Sequence, residues 1–394
     1  MVLSRPLLPP VLGLLSLFVT MTAESGEWRG EINFTHQQFT HDATPQTPQT
    51  SYPSFAISPE YHHASDDGSQ SLTFHPYFRG GRDGAKDHGD IRELYYLTYG
   101  DDWEFQAGIT RLFWGVTESQ HLVDVINQSD NLEGVDGEDK LGQPLIKFTL
   151  IRDSGTYSFF LLPRFRPLEY GGEESRPPLP FTPGRPLYEA TEGVKHRDLA
   201  LRWSRSIGDV DLGLSHFSGT SRQPLYRATA TGEIAPYYEL MEQSGLDLQM
   251  IHGDWLWKLE AIYRSTASLA FAAAVAGFEY TLYGLGGGDH DLGLIMELHR
   301  DQRQQSLSQT LFEKDLFLGL RYLWNDVASS ELLAGLIHDL HYRSHIFSIE
   351  YSRRLNDHWR VALEGRAFDG DNRADPVAAL THQDYLQLEL AYFF

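Results

Sequence analysis

The chain has 394 residues, no cysteine and a formal net charge of −22 at pH 7. The absence of cysteine excludes disulfides, thiol catalysis and cysteine metal sites, and the acidic excess argues against nucleic acid as a partner. Mean hydropathy is −0.36, a value typical of soluble proteins, although aromatic residues make up 13% of the chain. The sequence has no phosphate-cradling glycine loop, dinucleotide motif or spaced metal motif. We therefore expect no metal and no other cofactor.

The N-terminal segment has the pattern of a secretory signal. Arg5 precedes an apolar run over residues 7–21, and the small residues Ala23 and Ser25 follow it. The run is short for a membrane helix and contains two prolines, which argues against a signal anchor. The sequence predicts a cleaved signal peptide over residues 1–23 and a mature chain over residues 24–394.

The mature chain alternates between apolar and polar residues in short segments that are separated by glycine, asparagine and aspartate turns. These turn residues tolerate the positive φ that tight hairpins need. We expect one all-β antiparallel domain of about eighteen strands, with sixteen also possible because residues 241–251 and the hairpin at 331–353 have weaker patterns. The predicted strands lie near residues 27–37, 52–63, 70–80, 91–99, 103–115, 145–153, 156–165, 197–205, 209–217, 241–251, 255–264, 271–284, 289–300, 315–324, 331–341, 345–353, 358–367 and 383–394.

A local motif resembles one in porin-like outer-membrane barrels. Residues 90–96 read Asp-Ile-Arg-Glu-Leu-Tyr-Tyr, and after Gly108 residues 111–118 read Arg-Leu-Phe-Trp-Gly-Val-Thr-Glu. The pattern is similar to barrels of the alginate-export type, in which an Arg-Glu-x-Tyr strand pairs with a strand ending in Trp-Gly. The resemblance covers about residues 90–165, and it implies a transmembrane β-barrel.

The segment after this motif, residues 117–144, is long and strongly acidic. Long loops usually have a role, and two readings stay open: an acidic constriction that folds into the pore and faces basic wall residues, or a solvated outer loop. Leu122, Val123, Val125 and Ile126 form an apolar stripe that could pack on the barrel wall. A calcium site here, or in residues 369–375, is less favoured because neither has EF-hand spacing. The candidate constriction residues are Glu118, Asp124, Asp130, Glu133, Asp136, Glu138, Asp139 and Lys140.

Two later segments are further candidates for a functional role. Residues 166–196 form a second long loop, which is rich in proline and glycine and which we expect to be irregular. His216 and Ser218 follow an apolar alternation and share its lipid-facing side. Some outer-membrane lipid hydrolases place a His-x-Ser pair there, because histidine can activate the serine hydroxyl. Those enzymes continue with asparagine, whereas Gly219 follows here, so we favour two ordinary polar rim residues.

Strand alternation separates a lipid-facing side from a lumenal side. In residues 255–264, for example, Trp257, Leu259 and Tyr263 alternate with charged residues. A soluble sandwich could show the same pattern, but the signal and the terminal strand favour a barrel with a wet lumen. The predicted lumenal residues are Lys258, Glu260, Arg264, Asp291, Glu297, Arg321, Arg360, Glu364 and Arg366.

The last strand ends in Tyr392 and the C-terminal Phe394, with leucines on the same face. It resembles the closing strand of Gram-negative outer-membrane barrels, whose terminal aromatic is recognised by the assembly machinery. The resemblance implies an outer-membrane location, contact with lipids and lipopolysaccharide, and a periplasmic C-terminus with short turns on the same side. The sequence is compatible with a monomer and with a homo-oligomer. We expect a non-enzymatic, cation-preferring channel for passive diffusion of small hydrophilic solutes, with a lipid hydrolase as the alternative.

Overall fold

Antiparallel strands make up almost all of the regular structure. The computed structural model describes residues 26–42, 49–82, 84–134, 136–171, 175–177, 181–303 and 310–394. The predicted signal peptide, residues 1–23, lies outside the described residues. No helix among the described residues has both the length and the apolar character needed to cross a membrane.

Eighteen strands form one closed barrel, because the last strand pairs with the first as well as with its predecessor. Every barrel pairing is antiparallel and, apart from the closing pair of the first and last strands, joins barrel strands that follow one another along the chain. The barrel strands are β1 (Glu27–Phe39), β2 (Ser51–Ala64), β3 (Gln70–Gly81), β4 (His88–Tyr99), β5 (Trp103–Thr110), β6 (Gln143–Arg152), β7 (Gly155–Leu162), β9 (Asp198–Ile207), β10 (Val210–Thr220), β13 (Leu240–His252), β14 (Trp255–Thr266), β15 (Ala270–Leu282), β16 (Asp291–Asp301), β17 (Asp315–Leu323), β18 (Glu331–Asp339), β19 (His345–Arg354), β20 (Trp359–Asp369) and β21 (Tyr385–Phe393).

The prediction of an eighteen-strand barrel is confirmed, and the sixteen-strand alternative is wrong, since both weakly patterned regions form paired strands. The largest difference is at β5, which was expected to continue to residue 115 but ends at Thr110. The chain turns away there because Leu112 donates its backbone N–H to the Asn127 side chain at 2.9 Å. This contact replaces the pairing that a longer strand would have made.

The connections differ at the two ends of the barrel. At one end, here the short-turn end, tight turns such as 153–154, 208–209 and 253–254 join the strands, and Gly208 and Gly253 adopt positive φ. The opposite, long-loop end carries the connections 111–142, 163–197, 221–239 and 370–384. The tight turns predicted from the sequence therefore share one end of the barrel, as the strand count predicts, although the short connection 267–269 lies at the long-loop end.

Three short strands make a separate sheet at the long-loop end. They are β8 (Leu187–Tyr188), β11 (Leu225–Ala228) and β12 (Ile234–Tyr238). The fully buried Tyr238 ring packs against Phe165 and Tyr188, which joins the connections 163–197 and 221–239. The loop that was expected to be irregular thus contributes one paired strand, because its partner lies in a different loop.

The two faces of the barrel have opposite polarity. Large apolar side chains such as Leu214, Leu298 and Leu318 are exposed on the outside, while Glu260 and Glu297 are completely buried. A closed barrel satisfies its own backbone, and an apolar outer face matches hydrocarbon, so this is the architecture of a transmembrane barrel.

Candidate functional site

Residues 111–142, here the inward segment, run through the inside of the barrel. The segment forms ion pairs or hydrogen bonds with side chains of β3 and β4 and also with side chains of β14, β16 and β17. Between these two groups of strands lie β5, β6, β7, β9, β10 and β13 on one side, and β18, β19, β20, β21, β1 and β2 on the other. The groups are on opposite walls, so only a segment inside the lumen can contact both.

A buried carboxylate on β14 holds the first part of the inward segment. Glu260 accepts hydrogen bonds from the backbone N–H groups of Val116 at 2.7 Å, Thr117 at 3.1 Å and Val123 at 3.1 Å. The Thr117 hydroxyl also donates to it, at 2.8 Å. Charge-assisted hydrogen bonds of this kind are stronger than neutral ones. Glu260 faces the lumen, where its carboxylate anchors the segment.

Glu297 on β16 has the same arrangement one step further along the inward segment. It accepts the backbone N–H groups of Glu118 at 2.7 Å and Ser119 at 2.9 Å. The Ser119 hydroxyl lies 2.5 Å from Glu297 and 2.6 Å from His299. The Glu118 carboxylate pairs with Arg321 of β17 at 2.7 Å and with Lys258 of β14 at 3.6 Å.

The apolar stripe of the inward segment packs against the wall. Trp114, Leu122, Val123, Val125 and Ile126 are all buried. Burial of one such side chain contributes about 1.5–3 kcal/mol, so this packing is a major part of what holds the segment. The stripe packs against the part of the wall formed by β6 to β15. Its wall partners are Leu145, Phe160, Leu162, Ala200, Phe217, Met241, Ile262, Phe271, Ala273 and Val275.

Two acidic residues of the inward segment bind arginines on the facing wall. Asp130 pairs with Arg92 at 2.7 Å and His88 at 3.2 Å, and Glu133 pairs with Arg79 at 3.0 Å. Burial acts to raise the pKa of Asp130, but the hydrogen bond from His88 and the charge of Arg92 outweigh it and lower that pKa to about 2. His88, Asp130 and Glu133 are close enough together to hold a metal ion. Since each carboxylate already pairs with an arginine, this group is better explained as an ionic anchor.

The tip of the segment reaches β20. Asp136 pairs with Arg366 at 2.7 Å, and the same guanidinium contacts Glu364 at 2.8 Å and Glu350 at 3.4 Å. Asp139 faces open lumen. Its partial removal from bulk water, followed by the charges of Glu133 and Asp136, raises its pKa to about 7.

A histidine and a lysine link parts of the inward segment to each other. His121 lies 3.3 Å from Glu138 and 3.7 Å from Glu260. Burial acts to lower the pKa of His121, but the two carboxylates outweigh it and raise that pKa to about 10. Lys140 pairs with the buried Asp124 at 3.1 Å. These contacts make the segment one folded unit.

Open space remains beside the inward segment, along β17 to β21 and β1 to β4. It consists of two cavities of about 340 and 480 Å³, which share Arg360, Glu364, Gln387 and Glu389 in their linings. Acids and bases face each other across the first cavity. The second has five acidic side chains against two arginines, namely Glu118, Glu331, Glu350, Glu364 and Glu389 against Arg321 and Arg360.

The remaining predicted lumenal residues have structural contacts. Arg264 donates to Gln243 at 2.7 Å, and Arg360 pairs with Glu389 at 3.1 Å. Asp291 is at the short-turn end, where it accepts from Asn325 at 2.8 Å. Sequence reasoning missed the wall arginines that bind the inward segment, Arg79 and Arg92. Arg92 belongs to the Arg-Glu-x-Tyr motif of β4, which is a sequence signal for it, whereas Arg79 lies on β3 outside that motif.

His216 and Ser218 lie on the outer face, where both side chains contact the carboxylate of Glu242. Glu242 accepts from the Ser218 hydroxyl at 2.6 Å and lies 3.0 Å from His216 Nε2. His216 Nδ1 lies 3.0 Å from the Ser244 hydroxyl. Activation of a serine needs the histidine to accept its proton, and here the serine proton points to Glu242.

Comparisons with known proteins show the fold. No family model matches the chain, and no curated protein does. Among solved structures, Wzi of Escherichia coli, described as a carbohydrate-binding β-barrel involved in group 1 capsule assembly, has a TM-score of 0.54 at 9% identity, covering 92% of this chain and 84% of Wzi. A Rh. blastica porin mutant and the loop-deleted OmpT of Vibrio cholerae each have a TM-score of 0.45 at 10% identity, covering 94% of this chain and 100% and 99% of theirs. The chain has the closed-barrel fold of outer-membrane proteins, and its apolar outer face agrees with a location in that membrane.

Proposed function

We propose that this protein is an outer-membrane channel for the passive diffusion of small hydrophilic solutes. One observation carries the proposal: the inward segment packs in an apolar core against the wall from β6 to β15 and leaves charged cavities beside it. Water and polar solutes prefer such a lining, and a narrowed passage selects them by size and charge. The shared lining of the two cavities supports one continuous path.

The charge of the passage supports a preference for cations. Acids and bases balance near the long-loop end, but acidic side chains exceed basic ones in the second cavity. Low-dielectric walls focus this potential, so cations are enriched and anions are depleted. The preference is strongest at low salt, where screening is weak.

Planar-bilayer recording under a salt gradient tests both parts of the proposal. The test variant combines Asp136→Asn, Glu138→Gln and Asp139→Asn, which replaces three acidic side chains of the inward segment and leaves the Asp130 anchor intact. A control variant combines Asp66→Asn, Asp101→Asn and Asp153→Asn at exposed turns. We expect conductance steps from all proteins, and a reversal potential shifted toward anions only in the test variant. Absence of conductance steps would reject the channel, and a parent reversal potential at zero or on the anion side would reject the cation preference. Equal reversal potentials in the parent and the test variant would show that these three side chains do not set the selectivity.

The lipid hydrolase alternative has weaker support, because the Ser218 hydroxyl donates to Glu242 and not to His216. Incubation of the folded barrel with a lipid ester distinguishes the two functions. Ester turnover that is lost in Ser218→Ala would establish the hydrolase.

A further inference from the structure

Two exposed cations lie side by side at the long-loop end of the barrel. Arg300 is the last residue but one of β16, and Lys314 directly precedes β17. The pairing of these two strands continues past the ladder, because the N–H of Asp301 donates to the carbonyl of Glu313 at 2.8 Å. In this register Arg300 stands opposite Lys314. The Cβ atoms of such facing residues are about 4.5–5.5 Å apart.

Both cationic side chains belong to the outer face of the wall. Arg300 is exposed between two buried residues, and Lys314 is exposed between the buried Glu313 and Asp315. Successive residues of a strand face opposite sides of the sheet. The acidic residues at these strand ends are therefore on the lumenal side, and the wall separates them from the two cations.

A third exposed cation, Arg343, lies in the turn between β18 and β19. The first residue of this turn, Leu340, donates its N–H to the carbonyl of Lys314 at 2.9 Å, so the turn is directly beside Lys314. Three neighbouring strand ends thus each place one exposed cation at the same level of the barrel. We call Arg300, Lys314 and Arg343 the outer cationic patch.

The charge of the outer cationic patch is not balanced within the part of the chain that the structure describes. None of its three side chains forms an ion pair or a hydrogen bond with a described residue. The two connections that border the patch, 302–314 and 340–344, contain Glu313 as their single acidic residue, and that residue is buried. The protein as a whole has a formal charge of −22, so this patch is a local reversal of sign.

An apolar surface begins one pair of residues below the outer cationic patch. Leu298 and Leu316 are cross-strand partners on the same outer face as Arg300 and Lys314. Leu298 is 48% exposed, and Leu318, the next outward residue of β17, is 47% exposed. Such a surface faces hydrocarbon, and the long loops of outer-membrane barrels face the cell exterior. The patch therefore lies at the level of the headgroups of the outer leaflet.

We propose that the outer cationic patch binds a lipid of the outer leaflet that carries two phosphate groups in its headgroup. Guanidinium groups bind phosphate oxygens in a bidentate manner, and lysine binds them as a point charge. Three cations in a row can contact two phosphates, while the acyl chains lie on Leu298 and Leu318. A free anion would use only the cations, whereas a phosphorylated lipid uses both surfaces.

Native mass spectrometry of the full-length folded barrel in detergent tests the site, with diphosphoryl lipid A as the probe. We expect saturable binding to the parent protein. Monophosphoryl lipid A, which has one phosphate fewer, should bind the parent several-fold more weakly, since it leaves part of the patch unpaired. Inorganic phosphate should not displace the bound lipid, because it has no acyl chains to lie on the apolar surface.

The test variant combines Arg300→Gln, Lys314→Gln and Arg343→Gln. We expect it to bind diphosphoryl lipid A at least about tenfold more weakly, because each basic side chain near an anionic lipid surface strengthens binding several-fold. Its heat-modifiable migration and its conductance should equal those of the parent, since the three side chains lie outside the lumen and contact no other described residue.

The matched control combines Arg205→Gln, Arg353→Gln and Arg354→Gln, three exposed residues at the short-turn end, and it removes the same charge. It should bind the probe like the parent. Four results would each overturn the proposal: a parent that does not bind the probe, a test variant that binds like the parent, an equal loss in the control, and displacement by inorganic phosphate. Binding is read without current, so its failure is distinguishable from failure of the channel proposal.

Discussion

Phe394 and Gly30 exchange two backbone hydrogen bonds, each 3.0 Å long, at the seam where β21 meets β1. The pair extends the β1–β21 ladder to the last residue of the chain. Removal of Phe394 therefore loses both bonds and the terminal aromatic side chain. We expect the deletion to reduce the amount of heat-modifiable barrel in outer-membrane fractions, while Phe393→Leu, which keeps the terminal residue, has a smaller effect. Normal levels of folded barrel after the deletion would contradict this role.

Release of the inward segment should widen the passage. Glu260→Ala leaves the N–H groups of Val116, Thr117 and Val123 without their acceptor, and a buried unsatisfied donor costs about 1–3 kcal/mol. We expect lower stability in denaturant titrations and larger, noisier single-channel currents. Glu104→Ala, which loses only a weak pair with Lys147 at 3.8 Å, serves as the control. Unchanged currents in Glu260→Ala would show that this anchor does not hold the segment.

Cation selectivity should rise with pH through about 7. Asp139 has its pKa raised to about 7, so its carboxyl group is mostly neutral at pH 6 and mostly charged at pH 8. Each added lumenal negative charge favours cations. Reversal potentials at these two values should differ in the parent protein, and Asp139→Asn should remove most of the difference. If the pH dependence persists in Asp139→Asn, another titrating group must cause it.

His121 should stabilise the fold most strongly at neutral and lower pH. Its pKa is raised to about 10, above the value of about 6.5 in an unfolded chain. A raised pKa contributes stability that is complete below the unfolded value and is lost as pH rises through the folded value. The free energy of unfolding of the parent minus that of His121→Gln should be largest below pH 6.5 and vanish above about pH 10. If this difference in the free energy of unfolding grew with pH, the result would contradict a protonated His121 in the folded protein.

Ser218→Ala should leave conductance unaltered, since the hydroxyl lies on the outer face and contacts only Glu242 among the described residues. Lipid ester turnover should be absent from both the parent and the variant. Lipid ester turnover that depends on Ser218 would favour the hydrolase function over the channel function.

The strand count and the two faces of the barrel could be predicted from the sequence. Alternation is a local property with a period of two residues, and short turns use few residue types. For this reason even the weakly patterned β13 and the β18–β19 hairpin were placed within a few residues. The end of β5 was missed because Asn127, which turns the chain inward, lies fifteen or more residues away in sequence.

The location of the inward segment was decided only by tertiary structure. Its acidic residues were equally compatible with a pore constriction and with a solvated loop. The choice depends on Glu260, Glu297 and the arginines of the wall, whose contacts with the segment span up to 230 residues of sequence. Asp315 and Asp339 lie side by side for the same reason, because strand pairing makes them cross-strand partners. Local periodicity determines which residues face inward, whereas long-range closure of the barrel determines which of them meet.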